Sequence, residues 1–192
     1  MDNVLGIDLA ARNSAGIVLR DGGLTSHGEV LDDIDSLNLP PVAFCMGVVA
    51  LAAKHDVDLI AVEDVPYGIS SQAMVKPVLR LQGILIACLA QEGLLDRTVF
   101  VNPATWQRAV GVYGKAKTGA RDLARSFGYE PPDLLALHAS DINRLHGKER
   151  TRLRDRLKKA TTDYDDAFLL TYWAALHLGD IRRIPGVQEP MI

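Results

Sequence analysis

The chain has only two cysteines in 192 residues, Cys45 and Cys88, and they form no CxxC pair. Zinc ribbons and disulfide scaffolds need more thiols at closer spacing, so both are excluded. Two cysteines within apolar, helix-like segments read instead as small buried hydrophobes in a reducing compartment. The chain also lacks any apolar run near the roughly 18 residues that span a bilayer, and no charged-then-apolar leader follows Met1. These absences predict a cytoplasmic protein with no membrane partner. Nor is there an excess of positive charge: 21 Lys and Arg stand against 24 Asp and Glu, for a formal net charge of −3. A polyanion partner usually leaves a basic footprint, so any nucleic-acid-binding surface must be local. Internal repeats and low-complexity tracts are absent too, and the length fits one domain over residues 1–192.

What is present alternates between strand and helix patterns. Val4 to Leu9, Ala15 to Arg20 and Leu24 to Val30 read as strands, with Asp21-Gly22-Gly23 as a tight hairpin between the last two. Pro41 can open a helix, and Val42 to His55 is apolar at helical intervals. Asp58 to Glu63 is the next strand, and its run Leu59-Ile60-Ala61-Val62 suits burial on both faces of a sheet. Gln72 to Glu92 reads as a helix that Pro77 should kink or break. Val99 to Val101 is a short fifth strand, and Asn102-Pro103 suits the cap and first position of a helix carrying Trp106. Residues 133–160 break the rhythm with a polar, basic insert before an apolar closing helix from Tyr164 to Leu178. Three meandering strands followed by alternating units predict a five-stranded mixed sheet, three strands antiparallel and two parallel, flanked by helices. This is a ribonuclease H-like layout.

The chemistry lies in the carboxylates. Asp8 sits within the apolar strand Val-Leu-Gly-Ile-Asp-Leu, where an ionised group costs several kcal/mol unless a metal, a base or hydrogen-bond donors compensate. It either serves a site or ends its strand in a turn with Arg12 or Asn13. Glu63 ends the following parallel strand, so both acids belong at the edge where α/β sites gather. Alternation turns Asp64 to the other side. Asp163, Asp165 and Asp166 open the closing helix in this reading, and first-turn acids can serve only the helix dipole. Asp163 and Asp166, however, are three apart and share a face, while Asp165 points elsewhere. Four such acids would repel one another without cations. An all-oxygen set suits magnesium, with manganese able to substitute, and two such ions can hydrolyse a phosphodiester without a nucleophilic side chain.

In order along the chain, VLGIDLA, AVEDVPYG, VLRLQGILIA, TWQRAVGVYGKAK and DYDDAFLLTYWAAL resemble the RuvC-type Holliday-junction resolvases. The resemblance covers most of residues 4–130 and 163–178 and places that family's four metal ligands on Asp8, Glu63, Asp163 and Asp166. It implies a crossover junction endodeoxyribonuclease acting as a homodimer on branched DNA, chiefly four-way junctions, in a bacterial cell or in a phage host's cytoplasm. Pro66 stands where the family has an aromatic that contacts bases, which makes Tyr67 the candidate stacker. Lys115 and Lys117, shifted around Gly114, are candidate phosphate contacts or solvated loop lysines.

Arg144 to Lys159 has no counterpart in the cellular members. It holds eight Lys or Arg against Glu149 and Asp155, a local positive footprint in an acidic chain. Arg150, Arg152 and Arg154 are its candidate DNA contacts, although Leu153 and Leu157 would also suit an ordinary amphipathic helix. The insert fits a phage-encoded member. His138, His146 and His177 read as surface or packing residues, and Trp106, Phe168, Leu169 and Trp173 as core. A less selective nuclease for flaps, forks or RNA-containing duplexes would use the same acids, and a non-catalytic junction binder would keep them as caps. A sugar-kinase-like phosphotransferase also opens on Gly-Ile-Asp, but that architecture needs a second half missing here.

Overall fold

The structure, a computed structural model, describes residues 2–10, 13–20, 29–37, 39–65, 72–115 and 118–190. Its elements run β1 (Asn3–Asp8), β2 (Ala15–Arg20), β3 (Glu29–Asp35), α1 (Pro41–Lys54), β4 (Leu59–Glu63), α2 (Gln72–Gln91), β5 (Thr98–Val101), α3 (Pro103–Ala109), α4 (Thr118–Ser126), α5 (Leu134–Leu137), α6 (Ala139–Arg144), α7 (Gly147–Leu176) and β6 (Val187–Gln188). The sheet order is β3-β2-β1-β4-β5-β6. β1, β4 and β5 are parallel, while β2, β3 and β6 join antiparallel. Strands apolar on both faces take the centre: β4 reads LIAVE and is buried from Leu59 to Val62. One face packs on α1 and α2 through Leu5, Ile7, Ile60, Val62, Phe44, Val48, Leu85 and Leu89. The other packs on α7 through Val4, Ile17, Ala61, Val99, Trp106, Leu169, Leu170 and Trp173. Among the described residues no helix is long and apolar enough to cross a membrane.

The helix on the second face lies unusually close. A Cβ built on Gly6 would stand 2.1 Å from Thr171 Oγ1 and 2.8 Å from the Thr171 backbone nitrogen. Thr171 in turn donates to the Ile17 carbonyl on β2 at 3.3 Å and to Ala167 within its own helix at 2.6 Å. The missing side chain on β1 therefore fixes both the depth and the axial position of α7.

The mixed α/β sheet agrees with the sequence reading, with four differences. The sheet has a sixth strand, β6, only two residues long and so too short to leave a pattern. β3 runs over Glu29–Asp35, five residues past the expected end at Val30, because its sequence EVLDDID is an edge strand whose carboxylates hide the apolar alternation. The expected hairpin and the start of that expected strand lie outside the described residues. Pro77, expected to kink or break α2, does not break it: the helix runs from Gln72 through to Gln91, and the apolar run from Val78 carries it onto α1. The first part of the basic insert forms α5 and α6, and its remainder from Gly147 is continuous with the closing helix as one element, α7, instead of being separated from it near residue 160.

Gly6→Ala should push α7 away against backbone atoms that cannot rotate aside, and is expected to cost about 1–3 kcal/mol, as overpacking does. Urea denaturation of the two proteins checks this; an unchanged midpoint at unchanged slope would refute the close approach.

Candidate active site at the carboxyl edge of the sheet

The parallel register decides how Asp8 and Glu63 meet. Val4 pairs with Leu59, Gly6 with Ala61 and Ile7 with Val62, which sets Asp8 beside Glu63 at the ends of neighbouring strands. Because Leu5, Ile7, Ile60 and Val62 all enter the α1/α2 cluster, their alternates Asp8 and Glu63 face α7. Asp64 turns the other way, accepting from Gln82 Nε2 of α2 at 3.1 Å and from the Val65 amide at 2.8 Å.

The third contribution comes from α7. Thr171 lies over Gly6, and two turns earlier Asp163 falls on the same stripe as Ala167 and Thr171, with Asp166 one turn on from it. The charges of Asp166 and Asp163 are felt at Glu63, so the helix brings both acids to the ends of β1 and β4. Asp163 is 3 % exposed and lies some 16 residues into its helix, which removes the first-turn explanation that its sequence position suggested. Asp165 points elsewhere, to Arg121 of α4 at 3.5 Å.

These carboxylates are held in a strained electrostatic state. Although part of the Glu63 side chain is accessible, its carboxyl group is deeply enclosed. Burial, and then repulsion from Asp166 and Asp163, push it up to about 8, against the opposing hydrogen bond from Trp106. That bond runs from Trp106 Nε1 to Glu63 Oε2 at 2.8 Å. Asn13 Nδ2 donates to Asp163 Oδ2 at 3.4 Å, and Asp8 is 7 % exposed. Trp106, read from sequence as core alone, is both a fully buried core residue and the donor that orients Glu63. Asn13 was visible as a polar residue in the turn after β1, but nothing in the sequence tied it to Asp163.

The donors are hard oxygens, the chemistry that magnesium and manganese select. Among the described residues no three of His, Cys, Asp or Glu close around a common point. A set spread along one edge in this way fits an ion that keeps several waters, as magnesium does, and not an all-protein cage. Asp8, Glu63, Asp163 and Asp166 are the residues that could hold it.

The candidate DNA contacts are separated by the fold. Arg152 lines a cleft of about 510 Å³ together with Asn13, Asp155, Arg156 and Lys159, directly beside the acids. Arg154 and Arg150 precede Asp163 by about two and a half and three and a half helical turns, and so project from the opposite side of α7. Lys115 is exposed in the turn after α3, where Arg108 lies over the Tyr113 ring at 4.5 Å from its centroid. Tyr67 and Lys117 lie outside the described residues.

The raised Glu63 carboxyl has a measurable consequence without metal. Between its ordinary value of 4.5 and about 8 the folded protein holds a proton that the unfolded chain has released. Stability should therefore fall as pH rises through that window, by up to about 1.4 kcal/mol per pH unit. Glu63→Gln should flatten that part of the slope in EDTA-treated protein, as read by denaturant titrations at pH 5 and pH 8. An equal slope in both proteins would contradict the assignment.

No protein-family model and no curated protein sequence matches the chain. Its backbone is similar to that of Thermus thermophilus RuvC in complex with Holliday junction substrate, with a TM-score of 0.64 and 14 % identity over 93 % of this chain and 95 % of that one. A second Thermus thermophilus RuvC structure aligns with a TM-score of 0.61 and 14 % identity over 98 % and 99 % of the two chains. Fowlpox virus resolvase with its Holliday junction aligns more distantly, with a TM-score of 0.45 and 11 % identity over 93 % and 99 %. What the chain has in common with Thermus RuvC at this distance is its architecture: a ribonuclease H-like mixed sheet flanked by helices, the fold of the RuvC-type resolvases.

Proposed function

We propose that the protein is a divalent-metal-dependent endonuclease that resolves four-way DNA junctions by paired phosphodiester hydrolysis. The observation that carries this reading is the gathering of carboxylates from β1, β4 and α7 at one sheet edge, with Glu63 driven toward its protonated form by burial and by Asp166 and Asp163. Carboxylates that only capped strands or helices would have no reason to converge there. The likeness to RuvC, whose structure contains a Holliday junction, supports the substrate class at the level of fold.

Bound magnesium, or manganese in its place, would supply an activated water and stabilise the leaving oxygen in such a site. Asp8, Glu63, Asp163 and Asp166 would hold it. Glu63 would be ionised beside such a cation, whose charge would oppose the burial and the repulsion from Asp166 and Asp163 that raise it. Trp106 and Asn13 hold Glu63 and Asp163 in place through the hydrogen bonds described. No side chain has to attack phosphorus. Lys115, exposed in the segment between α3 and α4, meets the DNA backbone. Because a four-way junction is two-fold symmetric, a homodimer places one acid cluster on each of two opposed strands.

A labelled synthetic four-way junction, assayed beside linear duplex, flap and RNA–DNA controls with magnesium or EDTA, tests this. Symmetric metal-dependent nicks on the junction are expected, and Asp8→Asn should reduce them by on the order of 10²–10³-fold while binding survives. Equal cutting of every substrate would replace the resolvase with a general nuclease. Binding without cutting under any divalent metal would leave a non-catalytic junction protein.

A further inference from the structure

α7 is about 45 Å long at 1.5 Å per residue, and only its C-terminal half lies over the sheet. The N-terminal half is braced on one side: Leu157 is fully buried, Ala160 nearly so, and Leu134 and Ile142 of α5 and α6 join the same apolar cluster. That bracing decides which faces stay open. Arg152, Arg156 and Lys159 precede Asp163 by about three turns, two turns and one turn of helix, so all three continue the stripe that carries Asp163 and Asp166. They line the same cleft as Asn13, whose amide is bonded to Asp163. Arg156 also donates to the Leu37 carbonyl, which ties this half of the helix to the segment after β3. Arg152 and Lys159 remain exposed.

We propose that this stripe is a phosphate-binding track, on which Arg152, Arg156 and Lys159 hold the backbone of one duplex DNA arm and lead it to the carboxylate edge. The track deepens the nuclease reading and rests on it for the direction in which the strand runs. Three features favour a polyanion over a merely solvated helix face. Arg152, Arg156 and Lys159 are aligned with the acids at whole-turn spacing, while Arg150, Arg154 and Lys158 lie on the other side of the helix. The stripe borders a cleft, not an open convex surface. It is also rigid, held by α5, α6 and the Leu37 carbonyl, so little conformational entropy is lost when a strand lies on it. Metal-held carboxylates take the reacting phosphate; a row of cations beginning one turn away, about 6 Å along the axis, takes its neighbours.

The test compares Arg152→Gln/Lys159→Gln with Arg150→Gln/Arg154→Gln, which removes the same charge from the opposite side of the same helix. Arg156 is left in place because its bond to Leu37 serves the fold. Binding to a four-way junction and to a linear duplex of equal length is measured in EDTA across a salt series, and thermal melts confirm that all three proteins fold alike. The plot of log affinity against log salt should become shallower by about 1 per lost contact, hence by about 2 for Arg152→Gln/Lys159→Gln, on both DNAs. The opposite-face variant should keep the wild-type slope. Equal slopes in all three proteins, or equal losses in the two variants, would overturn the track. If instead the wild type cuts nothing or shows no preference for junctions, the resolvase reading fails while a slope difference between the two variants still establishes the track.

Discussion

The contact on which the site depends is the approach of α7 to β1 at Gly6. A helix can settle onto a sheet in many axial positions if its contacts are side chain against side chain, because rotamers give. Here the helix backbone lies against a glycine, and the Thr171 hydroxyl is bonded across to β2. Such contact does not slide without driving backbone atoms into one another or giving up the Thr171 bond to Ile17. Asp166 and Asp163 lie about 7.5 and 12 Å along the helix axis from Thr171, and Asp8 about 6.6 Å along β1 from Gly6, so fixing Thr171 on Gly6 also fixes where the helix acids stand relative to Asp8. The register of β1 with β4 then supplies Glu63.

A cluster assembled this way opposes folding. Several carboxylates taken out of water lose hydration, and hydrogen bonds such as those from Asn13 and Trp106 offset part of that loss. The surrounding apolar clusters on both sheet faces, which include Trp106 itself, offset that cost. Trp106 is economical in this sense: the ring that fills the core between α3 and the sheet also carries the one indole donor that Glu63 accepts from. Asp165 is compensated differently, with the nearby guanidiniums of Arg121 and Arg125 opposing the effect of its burial. That pair joins α4 to α7 from the side away from the sheet.

Most of the central sheet could be read from the amino acids because buried parallel strands are written as unbroken apolar runs, as Leu59 to Val62 are. The candidate acids could be read for the same reason: Asp8 and Glu63 are anomalies at the ends of such runs. What escaped lay where the pattern is weak. β3 carries four acids in seven residues, and β6 is two residues long, so neither announces a strand. The start of α7 was hidden by its charge, since a helix whose N-terminal half overhangs the sheet has little apolar periodicity there. Taking Tyr164 as the start of a helix separated Arg152 and Lys159 from Asp163. Seen as one helix, they fall in line. The partners of buried polar groups, Asn13 with Asp163 and Trp106 with Glu63, depend on tertiary packing and leave no trace in local sequence.

The same acidic β3 that obscured the topology closes one side of the sheet. Asp32 turns toward α1, where Lys54 and His55 hold its carboxyl down to about 2, while Asp35, on the other face, accepts from the Tyr164 hydroxyl at 2.8 Å. A neighbouring chain adding a strand here would meet carboxylates on both faces of the edge, already committed to partners within their own molecule. At the far side, β6 offers only two residues of ladder. Such edges resist the runaway strand addition that begins amyloid, and they leave no room for a continuous intermolecular sheet. A second copy brought alongside on one symmetric substrate would have to pack on helices or loops, because the sheet cannot be continued from one chain into the other.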